Sequence, residues 1–291
     1  MMRLALGTVQ FGLNYGVANR TGQVSRAEAH SMLTLARAHQ IDTLDTAIAY
    51  GDSEAYLGAL GVDDFKIVTK LPELPEDCGD VSHWIETQFE TSLSRLKRHS
   101  VYGLLLHRSH LLTEQSGVAS QVWRKLSDFK NKGLVKKIGV SVYSPNELDI
   151  ISAAYVLDLV QAPLNLIDQQ LITSGWLQRL KESGAEVHTR SAFLQGLLLM
   201  DRSDIPAKFS PWNAIWETWS AWQESHGLSA LESSLAFPLS VEGVDRVVVG
   251  ADSAQQLAQI IQATRILAPE TFPSIRSDDS RLINPSLWGA L

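Results

Sequence analysis

The chain has 291 residues, 45% hydrophobic and 20% charged, which is enough apolar material to bury a sizeable core and excludes global disorder. A formal net charge of −7 excludes a general affinity for nucleic acid or an anionic membrane, although a local basic site could still hold a phosphate. The single cysteine, Cys78, excludes an internal disulfide, and its neighbours Glu76, Asp77 and Asp80 oppose a reactive thiolate, so a reducing cytoplasm is expected.

The start, Met-Met-Arg-Leu-Ala-Leu-Gly, runs straight into a strand-like stretch without a signal-peptide hydrophobic region, and no run of about 18 apolar residues occurs anywhere. The expectation is a cytoplasmic protein that spans no membrane. Short apolar runs then recur in chain order: Leu4 to Gly7, Thr43 to Asp45, Lys66 to Thr69, Gly103 to Leu106, Lys137 to Ser141, Leu157 to Gln161, Glu186 to Arg190 and Arg246 to Val249. Between them lie stretches with helical spacing and recognisable starts. Ser25-Arg26-Ala27-Glu28 has the capping-box pattern and opens a helix towards His39, and Ser144-Pro145-Asn146-Glu147 puts proline at a first helical position. Asp252-Ser253 can cap a last helix through Leu257, Ile260 and Ile261. Trp212, Trp216, Trp219 and Trp222 recur at spacings of three and four, which reads as a helix packed on the core.

Strand and helix alternating with short connections imply a parallel sheet with right-handed crossovers, and eight similar units favour closure into a (β/α)8 TIM barrel over an open sheet. With no linker or low-complexity tract, residues 1–291 read as one domain. Barrel enzymes build their sites at the carboxyl ends of the strands. There this chain places Asp45 with Tyr50 just beyond, Lys70, His107, Ser141, Gln161, Arg190-Ser191 and Gly250. Neighbouring strands lie about 4.8 Å apart, so Asp45, Lys70 and His107 are expected within about 10 Å of one another.

A free tyrosine has a pKa near 10 and shuttles protons poorly at neutral pH unless a cation stabilises its anion. Lys70 can supply that cation, Asp45 can keep Lys70 charged when buried, and His107 can hydrogen-bond the same substrate oxygen. Together they would polarise a carbonyl and protonate its oxygen during reduction. Taken singly, each residue has a plainer reading: a strand-end turn for Asp45, a solvated cation for Lys70, a half-buried ring for Tyr50 and a structural imidazole for His107. Their joint occurrence at three neighbouring strand ends favours the site. A metal centre on His107, His110 and Asp45 lacks a completing ligand motif, so no metal is expected. Lys70 as a Schiff-base nucleophile of a barrel lyase is the competing chemistry.

These residues resemble the aldo-keto reductase family. The matching elements are Gly7-Thr8-Val9-Gln10-Phe11-Gly12, Asp45-Thr46-Ala47 with Tyr50-Gly51, Thr69-Lys70, Leu106-His107, Gly139-Val140-Ser141, Gln161, Gln195-Gly196-Leu197-Leu198, and Gly250 with its following helix, in order over nearly the whole chain. The resemblance implies a single barrel that binds an extended nicotinamide dinucleotide, usually NADPH, and reduces an aldehyde or ketone. It implies Tyr50 as general acid, Asp45 and Lys70 as its tuning pair, and His107 as the group orienting the carbonyl. It further implies that Gly7, Thr8, Val9 and Asp45 line the cofactor site and that Ser141 and Gln161 bind the carboxamide. Arg190, Ser191, Phe193, Gln195, Gly196 and Leu197 would cover the nicotinamide ribose and pyrophosphate. Gly250, Asp252, Ser253, Gln256 and Gln259 would hold the adenosine end. The tail, 264–291, is expected near the barrel mouth.

Three departures from the family pattern stand out. Val142 replaces the usual asparagine after Ser141, Arg190 replaces an aromatic at the nicotinamide, and Asp252 stands where a small polar residue usually faces the 2′-phosphate. A carboxylate there repels phosphate, so NADPH is expected with NADH left open, and Arg202 or Lys208 could offset the repulsion. The segment from Arg190 to Leu199 resembles a bacterial branch linked to surface polysaccharide, which implies a sugar or sugar-derived carbonyl as substrate. The family also contains slow redox-sensing subunits, a second class of function.

Overall fold

Eight parallel strands, β1 (Leu4–Gly7), β2 (Thr43–Asp45), β3 (Lys66–Leu71), β4 (Val101–Leu106), β5 (Val135–Ser141), β6 (Leu159–Pro163), β7 (Glu186–Arg190) and β8 (Arg246–Val249), pair in chain order, and β8 returns to β1. The sheet is therefore a closed (β/α)8 barrel. The structure is a computed structural model that describes residues 2–17, 19, 21–114 and 117–290; the outermost residues of the 1–291 span, Met1 and Leu291, lie outside the described residues. Strands covered on both faces can be apolar along their whole length, which is why Leu4–Gly7 and Val101–Leu106 show no alternation.

Two strand ends differ from the sequence reading. Strand β3 continues through Lys70 to Leu71, with Lys70 in register with Leu105, so the lysine stands in the sheet and not beyond it. Strand β6 is displaced two residues, ending at Pro163 in register with Arg190. A proline donates no ladder hydrogen bond, which makes Gln161 look like a strand end in sequence. The chain instead carries Gln161 inside β6, paired with Ser141 and His188.

The helix starts follow the sequence signals with one informative exception. Ser144 and Glu147 form a complete capping box for Pro145–Ala154. Ser25 accepts from the Glu28 amide at 3.2 Å, but the Glu28 carboxylate leaves its own helix and accepts from the Ala254 amide at 2.5 Å. One acidic side chain thus caps the helix that follows β8. Trp216 and Trp219 are buried and donate their indole N–H groups to the Phe209 and Leu198 carbonyls, while Trp222 stacks on Trp219. The tail is held beside the carboxyl end of β6 by the Ser277 amide donating to the Ile167 carbonyl, and Trp288 is buried against Phe209. Among the described residues no helix is long and apolar enough to cross a membrane.

At the amino-terminal end of the barrel, Glu186 accepts from Tyr102 Oη (2.6 Å), pairs with Lys137 Nζ (2.6 Å) and meets His188 Nε2 (2.7 Å). Burial alone would raise its pKa, yet the hydrogen bonds from His188, Lys137 and Tyr102 outweigh burial and hold it below the usual carboxylate range. A depressed folded pKa stabilises the native state above the unfolded value near 4.3, and that contribution is lost as pH falls through the folded value. Glu186→Ala, which leaves Lys137 without its carboxylate, is expected to cost ~3 kcal/mol in urea unfolding at pH 7. The difference from wild type should narrow in acid.

Candidate active site

Asp45, Lys70 and His107 converge because β2, β3 and β4 are neighbours in the barrel. Lys70 is only 1% exposed and donates from Nζ to Asp45 Oδ1 at 2.7 Å and to the Thr46 carbonyl at 2.8 Å. The second Asp45 oxygen accepts from Gln161 Nε2 at 2.6 Å. Gln161 therefore fixes the carboxylate, with its own Oε1 facing Ser141 Oγ at 3.5 Å. A buried ammonium is tolerable only with such partners.

Tyr50 reaches the same place from the loop after β2, and two glycines hold that loop. A Cβ on Gly12 would lie 1.7 Å from the Tyr50 carbonyl oxygen, and one on Gly51, whose φ is +52°, would lie 2.5 Å from the Gly12 carbonyl oxygen. The helix Val9–Gly12 after β1 and the Tyr50 turn thus touch backbone to backbone. Tyr50 meets the His107 ring edge-on at 5.4 Å, and the Lys70 ammonium lies 5.2 Å from the Tyr50 ring centre.

Burial raises the Tyr50 pKa, and the Asp45 charge raises it further. These two outweigh the Arg190 charge, which lowers it. The phenol keeps its proton. Burial lowers the Lys70 pKa against the opposing pull of Asp45. His107 is pushed down to about 3, by burial first and then by the charges of Lys70, Arg108 and Arg190. At neutral pH it is an uncharged imidazole with one N–H to donate.

A cavity of about 540 Å³ runs from Asp45 and Tyr50 to Asp252, Gln256 and Gln259, within the range of small-molecule sites. Its walls include Gly7, Thr8, Val9 and Gln161 near the strand ends, Arg190 at the end of β7 with Ser191, Phe193, Gln195 and Gly196 beyond it, and Gly250 after β8. Three residues expected there stand elsewhere. Ser141 is absent from the cavity wall, Leu197 is 1% exposed in the apolar core, and Ser253 uses its hydroxyl to accept from the Gln256 amide. Lys70 and His107 also lie outside the wall, Lys70 behind Asp45 and His107 beside Tyr50.

Several lining residues had no role assigned from sequence: Gln10, named only within its motif, Tyr15, Asn19 and the stretch Ser229 to Leu231 at a helix start. Asn19 donates to Asp252 Oδ1 at 3.1 Å. Gln10 Oε1 is buried without a hydrogen-bond partner, and a Cβ on Gly250 would lie 2.5 Å from Gln10 Nε2. An orphaned acceptor and a glycine that leaves it room, on the wall of a long cavity, fit a bound polar molecule that passes close to the backbone. A nicotinamide dinucleotide has that length and those donors, so the residues present fit it.

Two of the departures from the family pattern meet in space. Arg190 donates to the carbonyl of Val142 at 2.9 Å and lies 4.2 Å over the Tyr143 ring. Beyond it, Ser191, Leu194, Gln195 and Gly196 take positive φ of 62°, 47°, 55° and 91°. Left-handed non-glycine residues cost about 1–2 kcal/mol each, and here they turn the chain along the cavity wall.

A profile of the Aldo/keto reductase family matches residues 3–277. The chain is 24% identical over 301 residues to the uncharacterized oxidoreductase YqkF of Bacillus subtilis (strain 168), covering 95% of this chain and 96% of that one. In fold it is similar to the aldo-keto reductase AKR11C1 of Bacillus halodurans in its holo form (TM-score 0.71, 19% identity, 93% of this chain and 87% of that one). It is also similar to the glycerol dehydrogenase AKR11B4 of Gluconobacter oxydans (TM-score 0.69, 22% identity, 93% and 88%). With that profile matching nearly its full length, the chain belongs to the aldo/keto reductase family of oxidoreductases.

Proposed function

We propose that the protein reduces an aldehyde or ketone to an alcohol with a nicotinamide dinucleotide, Tyr50 serving as proton donor. The observation that carries this reading is the phenol, neutral imidazole and buried ammonium–carboxylate pair gathered at one end of a long cavity. When bound, the reduced cofactor supplies a hydride to the carbonyl carbon. The carbonyl oxygen takes the Tyr50 proton, and the His107 N–H positions that oxygen. Lys70, 5.2 Å from the ring centre, opposes the charge left on the phenolate until solvent reprotonates it. Lys70 as a nucleophile is unsupported by its position, since its amine is buried and doubly held behind Asp45.

The resemblance favours NADPH, but the groups at the adenosine end of the cavity support NADH instead. Among the described residues, no lysine or arginine lines the cavity end formed by Asn19, Asp252, Gln256 and Gln259. Arg202 is paired with Glu217, and Lys208 donates to the Trp288 carbonyl, so neither offsets Asp252. The amides at the following helix start are also taken: Asp252 N by Gln256 Oε1, Ala254 N by Glu28 and Gln256 N by Ser253. Among the described residues, a 2′-phosphate would meet a carboxylate without a cation, whereas a ribose diol would find an acceptor. Titrating each cofactor against tryptophan fluorescence is expected to give NADH a Kd at least ~10-fold lower, about 1.4 kcal/mol. Equal or tighter NADPH binding overturns the preference, and binding of neither at millimolar concentration overturns the cofactor assignment. Steady turnover with simple aldehydes separates the enzyme from a slow sensor. The substrate is proposed to be a sugar or sugar-derived carbonyl, and cytoplasmic residence is proposed with it.

A further inference from the structure

Two guanidinium groups flank the Tyr143 ring beside the candidate proton donor, Arg190 at 4.2 Å and Arg108 at 5.3 Å from its centre. Among the described residues neither has a carboxylate within 4.0 Å. Arg190 spends N–H groups only on the Val142 carbonyl and Ser191 Oγ, which leaves part of its fork unused where it lines the cavity. The carboxylates nearby have other partners, and Glu147 accepts from the Tyr143 and Ser144 amides. Asp45 is bonded to Lys70, Glu73 pairs with His110, and Asp278 pairs with Arg276. Asp168 is buried, and burial pushes its carboxyl up to about 7, so it is only partly charged at neutral pH. Arg190 lies on the cavity wall with Tyr50, whereas Arg108, next to His107 in the chain, lines a neighbouring cavity with Glu73 and His110. On a protein of net charge −7, this is a local positive mouth.

Resting on the reductase reading above, we propose that the substrate carries an anionic oxygen group, carboxylate or phosphate, near its reducible carbonyl, and that Arg190 and Arg108 hold it on either side of Tyr143. A planar guanidinium with free N–H groups suits such a group, and the part-buried setting of Arg190 strengthens the contact. The backbone carbonyl of residue 142, which any side chain there would leave in place, fixes Arg190 in this pose.

The test compares matched pairs in the NADH-loaded protein: 4-carboxybenzaldehyde with 4-carbamoylbenzaldehyde, and glyceraldehyde 3-phosphate with glyceraldehyde. The anionic member of at least one pair is expected to have a kcat/KM at least ~10-fold higher, a ratio that falls with added salt and in both Arg190→Gln and Arg108→Gln. The pair showing the larger ratio identifies the anion as carboxylate or phosphate. Parity in both pairs, or a ratio indifferent to both substitutions, overturns the proposal. If cofactor binds but no aldehyde is reduced, the reductase reading fails separately, and calorimetry then decides this inference. Benzoate and inorganic phosphate are titrated against benzamide. Tighter anion binding that is lost in Arg108→Gln sustains the clamp, and equal binding overturns it.

Discussion

Tyr50→Phe is expected to lower kcat for carbonyl reduction by about 10²–10⁴-fold while leaving NADH binding within a factor of two or so. The ring remains, with its edge-on contact to His107 and its place over the Lys70 ammonium, so only the O–H is lost. No other group at the site takes over the proton readily. His107 is uncharged at neutral pH, with burial and three nearby cations against its protonation, and Lys70 is committed to Asp45 and Thr46. Stopped-flow kinetics of cofactor oxidation check this, with fluorescence titration as the control. Full activity in the variant would mean that a water or His107 carries the proton.

The second large effect is on stability and turnover together. Lys70→Met removes the cation from a carboxylate that is only 4% exposed, and Asp45 is then left with Gln161 alone. Breaking a buried pair from one side costs about 3–5 kcal/mol, because the remaining charge is uncompensated. Urea unfolding at pH 7 is expected to show a loss in that range. Turnover should fall by ~10²-fold or more, since the phenolate left after proton donation loses its counter-charge. A variant as stable as wild type would mean that the ammonium and carboxylate do not depend on each other.

Much of this architecture is visible in the chain because each strand is a short apolar run that stops at a polar side chain. Asp45 and His107 could be placed to within a residue on that basis, and Ser144 with Glu147 announced a helix that carries the full capping box. Lys70 and Gln161 stand one and two residues inside their strand ends for one physical reason. A polar residue ends a run in sequence whether it closes the strand or turns into the barrel, and these two turn inward onto Asp45. Glu28 could not be read either, because a capping-box pattern does not reveal that its carboxylate will serve a helix more than two hundred residues later.

The cavity wall was legible only where a local motif carried it. The segment from Arg190 to Gly196 and the glycine after β8 stood out, whereas Asn19 and Gln10 did not, because their roles are set by partners at Asp252 and Gly250 across the barrel seam. The same holds for the Tyr50 turn. Gly12 and Gly51 look like ordinary turn residues in sequence, and only the barrel brings their backbones into contact. Arg190 and Val142 read as two separate departures from the family pattern until a hydrogen bond joins them.

The central claim is that a hydride arrives at the carbonyl carbon while Tyr50 delivers the proton to oxygen. Its most direct test is one incubation of the protein with an aldehyde and NADH deuterated at the transferring position of C4, followed by mass spectrometry of product and protein. The account predicts one deuterium on the carbinol carbon and unmodified protein after borohydride treatment. An alcohol without the label, or a borohydride-trapped adduct on Lys70, would contradict it.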